Sequence, residues 1–226
     1  MDQLLLDITP HWWPTFENFV VGDNLELLSV MQHALSGESR ERCIYVWGAA
    51  GSGKSHLLQA CIGAAQNMHR SAIYARAAVP SIAEVVAVDD VDTLDDEAQI
   101  ELFNLYNQLR EGGGMLLVSG EQSPLHLALR ADLRTRLGWG LVYQVHALSD
   151  EEKVRALAQH AQVRGFTLAP ELAHYLLRHG RRDLPSLLEV LDALDEHSLR
   201  LHRVPSIPLL KEVIYNQPGS RAGGNG

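Results

Sequence analysis

The sequence predicts an α/β protein: a largely parallel, doubly wound sheet flanked by helices, followed by a small all-helical subdomain. Three observations carry this. Short apolar runs of strand length alternate with segments of helical periodicity over the first two thirds of the chain. Those runs are continuously apolar, the pattern of strands buried on both faces of a parallel sheet. After Val145 no strand pattern recurs, while capping and periodicity signals continue.

The elements follow in order. Residues 1–14 read as a tail, too short for a domain, in which Pro10 and Pro14 oppose a continuing helix. Leu27, Leu28, Met31 and Leu35 recur at helical spacing, and Gly37 ends that helix. Cys43-Ile44-Tyr45-Val46-Trp47 is the first strand, and a helix runs from Lys54 to about Asn67. Ser71 to Ala75 and Val85 to Val88 are the next two strands. Asp95 to Glu111 reads as a helix with Ile100, Phe103, Tyr106 and Leu109 available for one face, stopped by Gly112-Gly113-Gly114. Met115 to Val118 and Leu141 to Val145 complete the sheet. The stretch between Tyr74 and Val85 is short for a crossover helix, and Ala77-Ala78-Val79-Pro80 suggests a direct loop, which parallel strands tolerate poorly.

In the helical part, Ser149 with Glu152 forms a capping box that opens a helix to about Val163. Pro170 suits a first helical turn and Gly180 a helix end. A third helix is expected from about Asp183 to Leu201, and Pro208 can begin a short fourth. Residues 217–226 are glycine-rich and expected to be disordered.

Composition narrows the function. A net charge of -9 excludes a generally basic DNA-binding surface, so contact with DNA would be local or borrowed from a partner. Cys43 and Cys61 lie far apart and read as buried thiols of a reducing compartment. No apolar run is long enough to cross a membrane, and Met1-Asp2-Gln3 lacks a basic leader, so a cytoplasmic location is expected. The eleven histidines include no HExxH, and no GxSxG is present.

The chemistry centres on Gly48-Ala49-Ala50-Gly51-Ser52-Gly53-Lys54-Ser55, which matches G-x-x-x-x-G-K-[ST] between an apolar strand and a helix. Gly48, Gly51 and Gly53 let the backbone fold around phosphates, so that amide groups, including that of Ser52, point at anionic oxygens. The helix that follows adds its positive end. Lys54 would reach the terminal phosphates and Ser55 would hold Mg2+; His56 either approaches a phosphate or lies on the helix surface. Asp89 and Asp90 follow four apolar residues as the second acidic motif of such proteins: Asp89 to orient the magnesium shell, Asp90 as a water-polarising carboxylate.

Further residues carry a family resemblance. Phe16-Glu17-Asn18-Phe19-Val20-Val21-Gly22 resembles the segment before the first helix of DnaA proteins, and Arg136-Leu137-Gly138-Trp139-Gly140 is similar to their RFGWG element. With the two phosphate-site motifs, these make the chain from about Thr15 to Leu201 look like the AAA+ domain and lid of the DnaA family. The resemblance implies that Phe19, Val20 and Val21 line an adenine pocket for ATP or ADP. It also implies that Arg136 is a finger directed at a neighbouring subunit's nucleotide. Gln3-Leu4-Leu5-Leu6-Asp7-Ile8 is similar to the clamp-binding motif of DnaA-related regulators, with Gln3, Leu4, Leu6 and Ile8 in matching places and Asp7 where proline is usual. Such a peptide can place its apolar residues in a groove; alternatively this tail packs on its own domain.

The expectation is therefore a tail over 1–14, a nucleotide-binding domain over 15–147 and a helical lid over 148–216. The implied partners are DnaA and the β sliding clamp of DNA polymerase III, with DNA contacted only through the clamp; self-association is left open. The implied function is clamp-dependent stimulation of the hydrolysis of DnaA-bound ATP, the chain itself being at most a weak ATPase. The alternative is an autonomous ATPase that loads a helicase or remodels a replication factor. Three departures bear on this choice. Ser186 stands where the family lid carries an arginine, with Arg181 and Arg182 nearby. Ser119-Gly120-Glu121 replaces the usual sensor after the fourth strand, and the second and third strands are joined by the short link. No helix-turn-helix domain is expected after Tyr215.

Overall fold

A computed structural model describes residues 13–181 and 183–216. The chain divides into two compact units, one made of the chain up to Gly48 together with Gly53–Val145, the other of Ala49–Ser52 with the chain from His146 onward.

The first unit is a five-stranded, all-parallel sheet. Its strands are β1 (Cys43–Trp47), β2 (Ala72–Arg76), β3 (Val85–Asp89), β4 (Met115–Gly120) and β5 (Leu141–Gln144), in the order β2-β3-β4-β1-β5. Residues alternate between faces along each strand, and each face has its own core. Ile44, Val46, Val85, Ala87, Met115 and Leu117 pack with α1 (Leu25–Ser36) and α2 (Lys54–Asn67). Tyr45, Val86, Val88, Leu116 and Val118 pack with α3 (Asp96–Gly112) and α4 (Ala131–Trp139). The three central strands β1, β3 and β4 are nearly all buried, as their continuous apolar runs predict, whereas the edge strand β5 alternates between half-buried and exposed.

Two details differ from the sequence reading, and a third agrees with it. Helix α4 was not anticipated, because only Leu133 and Leu137 of its nine residues are buried and the rest is polar or charged. On α3 the buried face is Leu102, Leu105, Tyr106 and Leu109, while Ile100 is 44% exposed. A spacing of three residues steps back by about 60° each time on an α-helix, so Ile100 ends on the side opposite Leu109. The link from β2 to β3 does contain no helix: β2 and β3 pair in parallel across residues 77–84, and Val79 and Ala83 pack on the sheet face where a crossover helix would lie.

Among its described residues the second unit has four helices, α5 (Asp150–Val163), α6 (Pro170–His179), α7 (Leu184–Leu201) and α8 (Ile207–Asn216), around a core that includes Leu157, Leu172, Leu176, Leu187, Leu191, Leu194 and Leu210. The Ser149–Glu152 capping box is formed in both directions, and the anionic form of Glu152 is favoured by the bonds it accepts from Ser149. Pro170 occupies the start of α6. Asp192 on α7 accepts from Nε2 of His160 on α5 and from Nε of Arg164, the residue that follows α5, both at 2.6 Å, while Asp195 accepts from Arg164 at 3.4 Å.

Candidate functional site

The phosphate loop leaves β1 and enters α2. Gly53, the residue before α2, has φ +107, a conformation that suits glycine, and a Cβ there would meet Phe19 Cε2 at 2.9 Å. Lys54 is 6% exposed, and its ammonium donates to the Gly48 carbonyl at 2.7 Å. The loop turns on a bond from Ser52 N to Ala49 O, and Ser52 Oγ is buried without a partner among the described residues. A buried hydroxyl with unused hydrogen-bonding capacity, beside a glycine with no room for a side chain, fits an anionic oxygen.

The segment before α1 is fastened against α2. Thr15 and Asn18 exchange two bonds, Thr15 N to Asn18 Oδ1 at 2.9 Å and Asn18 N to Thr15 Oγ1 at 3.2 Å. His56 Nε2 donates to Thr15 O at 2.9 Å, and its ring lies 5.4 Å from that of Phe19. His56 is thus engaged with the N-terminal segment. Burial lowers its pKa, against the raising effect of the Thr15 bond. Phe19 is buried in the core, with Val20 and Val21 half-buried beside it.

Asp89 ends β3 and is fully buried, so its carboxylate needs donors. Tyr74 of β2 donates its hydroxyl to Oδ2 at 2.6 Å, and the Ser119 hydroxyl of β4 donates to Oδ1. Burial, and then the bond to Asp89, push the Tyr74 phenol up to about 12. Ser119, which thus serves Asp89, also accepts from Asp90 N at 3.1 Å. Asp90 sits in left-handed backbone at φ 56, ψ 50, and its Oδ2 accepts from Arg76 Nε at 2.6 Å. The short link helps: Ala77, at φ 52, donates its N–H to Asp89 O at 2.9 Å, which holds the end of β2 against the acidic pair. Among the described residues no cluster of three His, Cys, Asp or Glu could hold a metal.

Arg136 lies in the last turn of α4. Its guanidinium stands 4.4 Å from the Trp139 ring centroid, 5.7 Å from Phe103 and 5.9 Å from Tyr106, and it has no ion pair among the described residues. In the second unit, to which residues 49–52 belong, Asp183 caps α7 by accepting from Ser186 N at 3.0 Å, and a Cβ on Gly51 would lie 3.2 Å from Asp183 Cβ. Arg181 is 84% exposed at its side chain and 3.6 Å from Asp183. Arg182 and the tail residues Gln3, Leu4, Leu6 and Ile8 lie outside the described residues.

Two family models match: Hda, lid domain, over residues 150–214, and bacterial DnaA ATPase domain, over residues 76–144. A Haemophilus influenzae protein described as uncharacterized is 35% identical over 215 residues, covering 88% of this chain and 93% of its own length. The chain belongs to the DnaA-related, Hda-like family. That is a family of replication-initiation regulators built on the AAA+ fold. Domain III of the Thermotoga maritima replication initiation protein DnaA has the same fold, with a TM-score of 0.72 at 22% identity over 88% of this chain and 96% of that one. DnaA from Aquifex aeolicus bound to AMPPCP aligns with a TM-score of 0.69 at 21% identity, over 84% of this chain and 69% of that one. A further replication initiation factor is spanned over 65% of its length. No described helix of this Hda-like chain is long and apolar enough to cross a membrane.

Proposed function

We propose that this Hda-like protein binds ATP or ADP with Mg2+ and, together with the DNA-loaded sliding clamp, stimulates hydrolysis of ATP held by DnaA. One observation carries the reading: a guanidinium, Arg136, without an ion-pair partner among the described residues, rests on an exposed tryptophan at the end of α4. Such a group can stabilise charge that develops on a phosphate held by another chain, an effect of about 10³–10⁵ in rate. Its own acidic pair supports a holding rather than a hydrolysing role. Both Asp89 oxygens accept from neutral hydroxyls, and Asp90 is paired with Arg76. Gly48, Gly51, Ser52, Gly53 and Lys54 would cradle the phosphates, Phe19, Val20 and Val21 the base, and Ser55 with Asp89 the metal. Bound Mg2+ would supply charge neutralisation at the phosphates. The AMPPCP held by the Aquifex DnaA of like fold supports the nucleotide.

The test measures hydrolysis of DnaA-bound ATP with clamp loaded on DNA, using intact, Gln3→Ala and Arg136→Ala proteins. Stimulation should need the clamp, fall with Gln3→Ala and disappear with Arg136→Ala, while nucleotide binding by Arg136→Ala stays normal. Unimpaired stimulation by Arg136→Ala would remove the finger role. Absence of stimulation by the intact protein, with robust ATP turnover of its own, would mean an autonomous ATPase.

A further inference from the structure

A pocket of about 290 Å³ opens where β1 and β4 begin and α3 ends. Buried Leu109, Leu116 and Tyr106 give it an apolar lining. Arg40, Arg42 and Arg110 add three guanidiniums against one carboxylate, Glu41. Trp139, 56% exposed, forms another wall, and its ring carries Arg110 at 5.8 Å as well as Arg136 at 4.4 Å. Elsewhere Arg76, Arg130, Arg164 and Arg181 face carboxylates, but Arg40, Arg42 and Arg110 form no ion pair among the described residues. Unneutralised cations clustered around an apolar socket, on a chain of net charge -9, are the complement of an acidic partner.

We infer that this pocket receives an acidic segment of the nucleotide-holding partner chain, an apolar side chain entering the socket and a neighbouring carboxylate meeting the arginines. This rests on the function proposed above. The volume lies at the lower edge of the range of about 300–1,000 Å³ usual for small-molecule sites and has room for a large apolar side chain. Guanidiniums suit carboxylates by their paired, planar donors, and Trp, Tyr and Arg are the residue types that dominate protein interfaces. Because Trp139 is a wall of the pocket and also the rest of Arg136, an occupant here fixes the position of the finger.

The experiment titrates the full chain against ATP-loaded DnaA with clamp on DNA, and reads the half-saturating concentration and the saturating hydrolysis rate separately. Arg110→Glu and the double change Arg40→Glu with Arg42→Glu should raise the half-saturating concentration at least about tenfold while the saturating rate stays within about twofold. Arg136→Ala should do the reverse. Circular dichroism and thermal unfolding check that each variant is folded, and Arg110→Lys, which keeps the charge, should bind far better than Arg110→Glu. An unchanged half-saturating concentration in folded glutamate variants overturns the docking site and leaves the finger role standing. Direct binding of DnaA to the immobilised chain separates the two claims. If the intact protein stimulates nothing yet binds DnaA, and Arg110→Glu abolishes that binding, the proposed activity falls and the docking site stands.

Discussion

Single positions set the character of the site. At Gly53 an added methyl group would meet the Phe19 ring at 2.9 Å and adopt φ +107, which an L side chain takes at a cost of about 1–2 kcal/mol before the clash is counted. Gly53→Ala should therefore lower the unfolding midpoint and weaken binding of a fluorescent ADP analogue together; unchanged affinity would detach Phe19 from the nucleotide. At Arg136, the proposed finger, a guanidinium 4.4 Å over Trp139 gains about 0.5–2 kcal/mol. Trp139→Ala should cut the saturating stimulation about tenfold, less than loss of Arg136 itself, and Trp139→Phe should restore most of it. The glycines, Lys54, Asp89 and Arg136 can be proposed from sequence because a phosphate or a family motif dictates their spacing. Tyr74, Arg76 and Ser119 cannot, since their roles depend on which strands become neighbours. Once β2 lies beside β3, the register Tyr74–Ala87 and Arg76–Asp89 brings both side chains to the acidic pair.

Elements were read correctly where burial leaves a long periodic signal. Strands β1, β3 and β4 are apolar throughout because they are covered on both faces, and the capping box announces α5 in four residues. Helix α4 escaped because one buried pair, Leu133 and Leu137, gives no period, and because its surface charges serve the exterior. The α5–α7 contact was also invisible, as its residues lie about thirty positions apart. Arg164 has Nη2 buried without a partner and depends on Asp192 and Asp195 for its other nitrogens, and Asp192 also takes His160. Removing Asp192 leaves a largely buried cation short of its counter-charge, so Asp192→Ala should cost about 3 kcal/mol in urea unfolding. Asp192→Asn, which keeps one acceptor, should cost less. A loss below about 0.5 kcal/mol would show that the helices are held by Leu157, Leu187 and Leu191 alone.

For the whole molecule, pH links stability to the nucleotide site through His56. Burial lowers its pKa in the fold, so the unfolded chain binds this proton more readily. Stability from this group is fully present above the ordinary histidine value of about 6.5 and is lost as pH falls from there towards the lowered value. The carboxyls of Asp132, Glu152 and Asp183 are lowered too, but from the ordinary carboxyl range, so their contributions are lost only under more acidic conditions, at and below that range. The window from pH 7.5 to 5.5 therefore isolates histidine titration. His56→Gln keeps a side-chain donor for Thr15 O but cannot take up a proton, so the slope of unfolding free energy over that window should be shallower in this variant than in the parent. Because the same imidazole bonds to Thr15 and lies against Phe19, affinity for ADP should fall over the same interval in the parent and stay flatter in His56→Gln. Parallel slopes for the two proteins would assign the acid sensitivity to other histidines, and would leave His56 as a packing residue of α2.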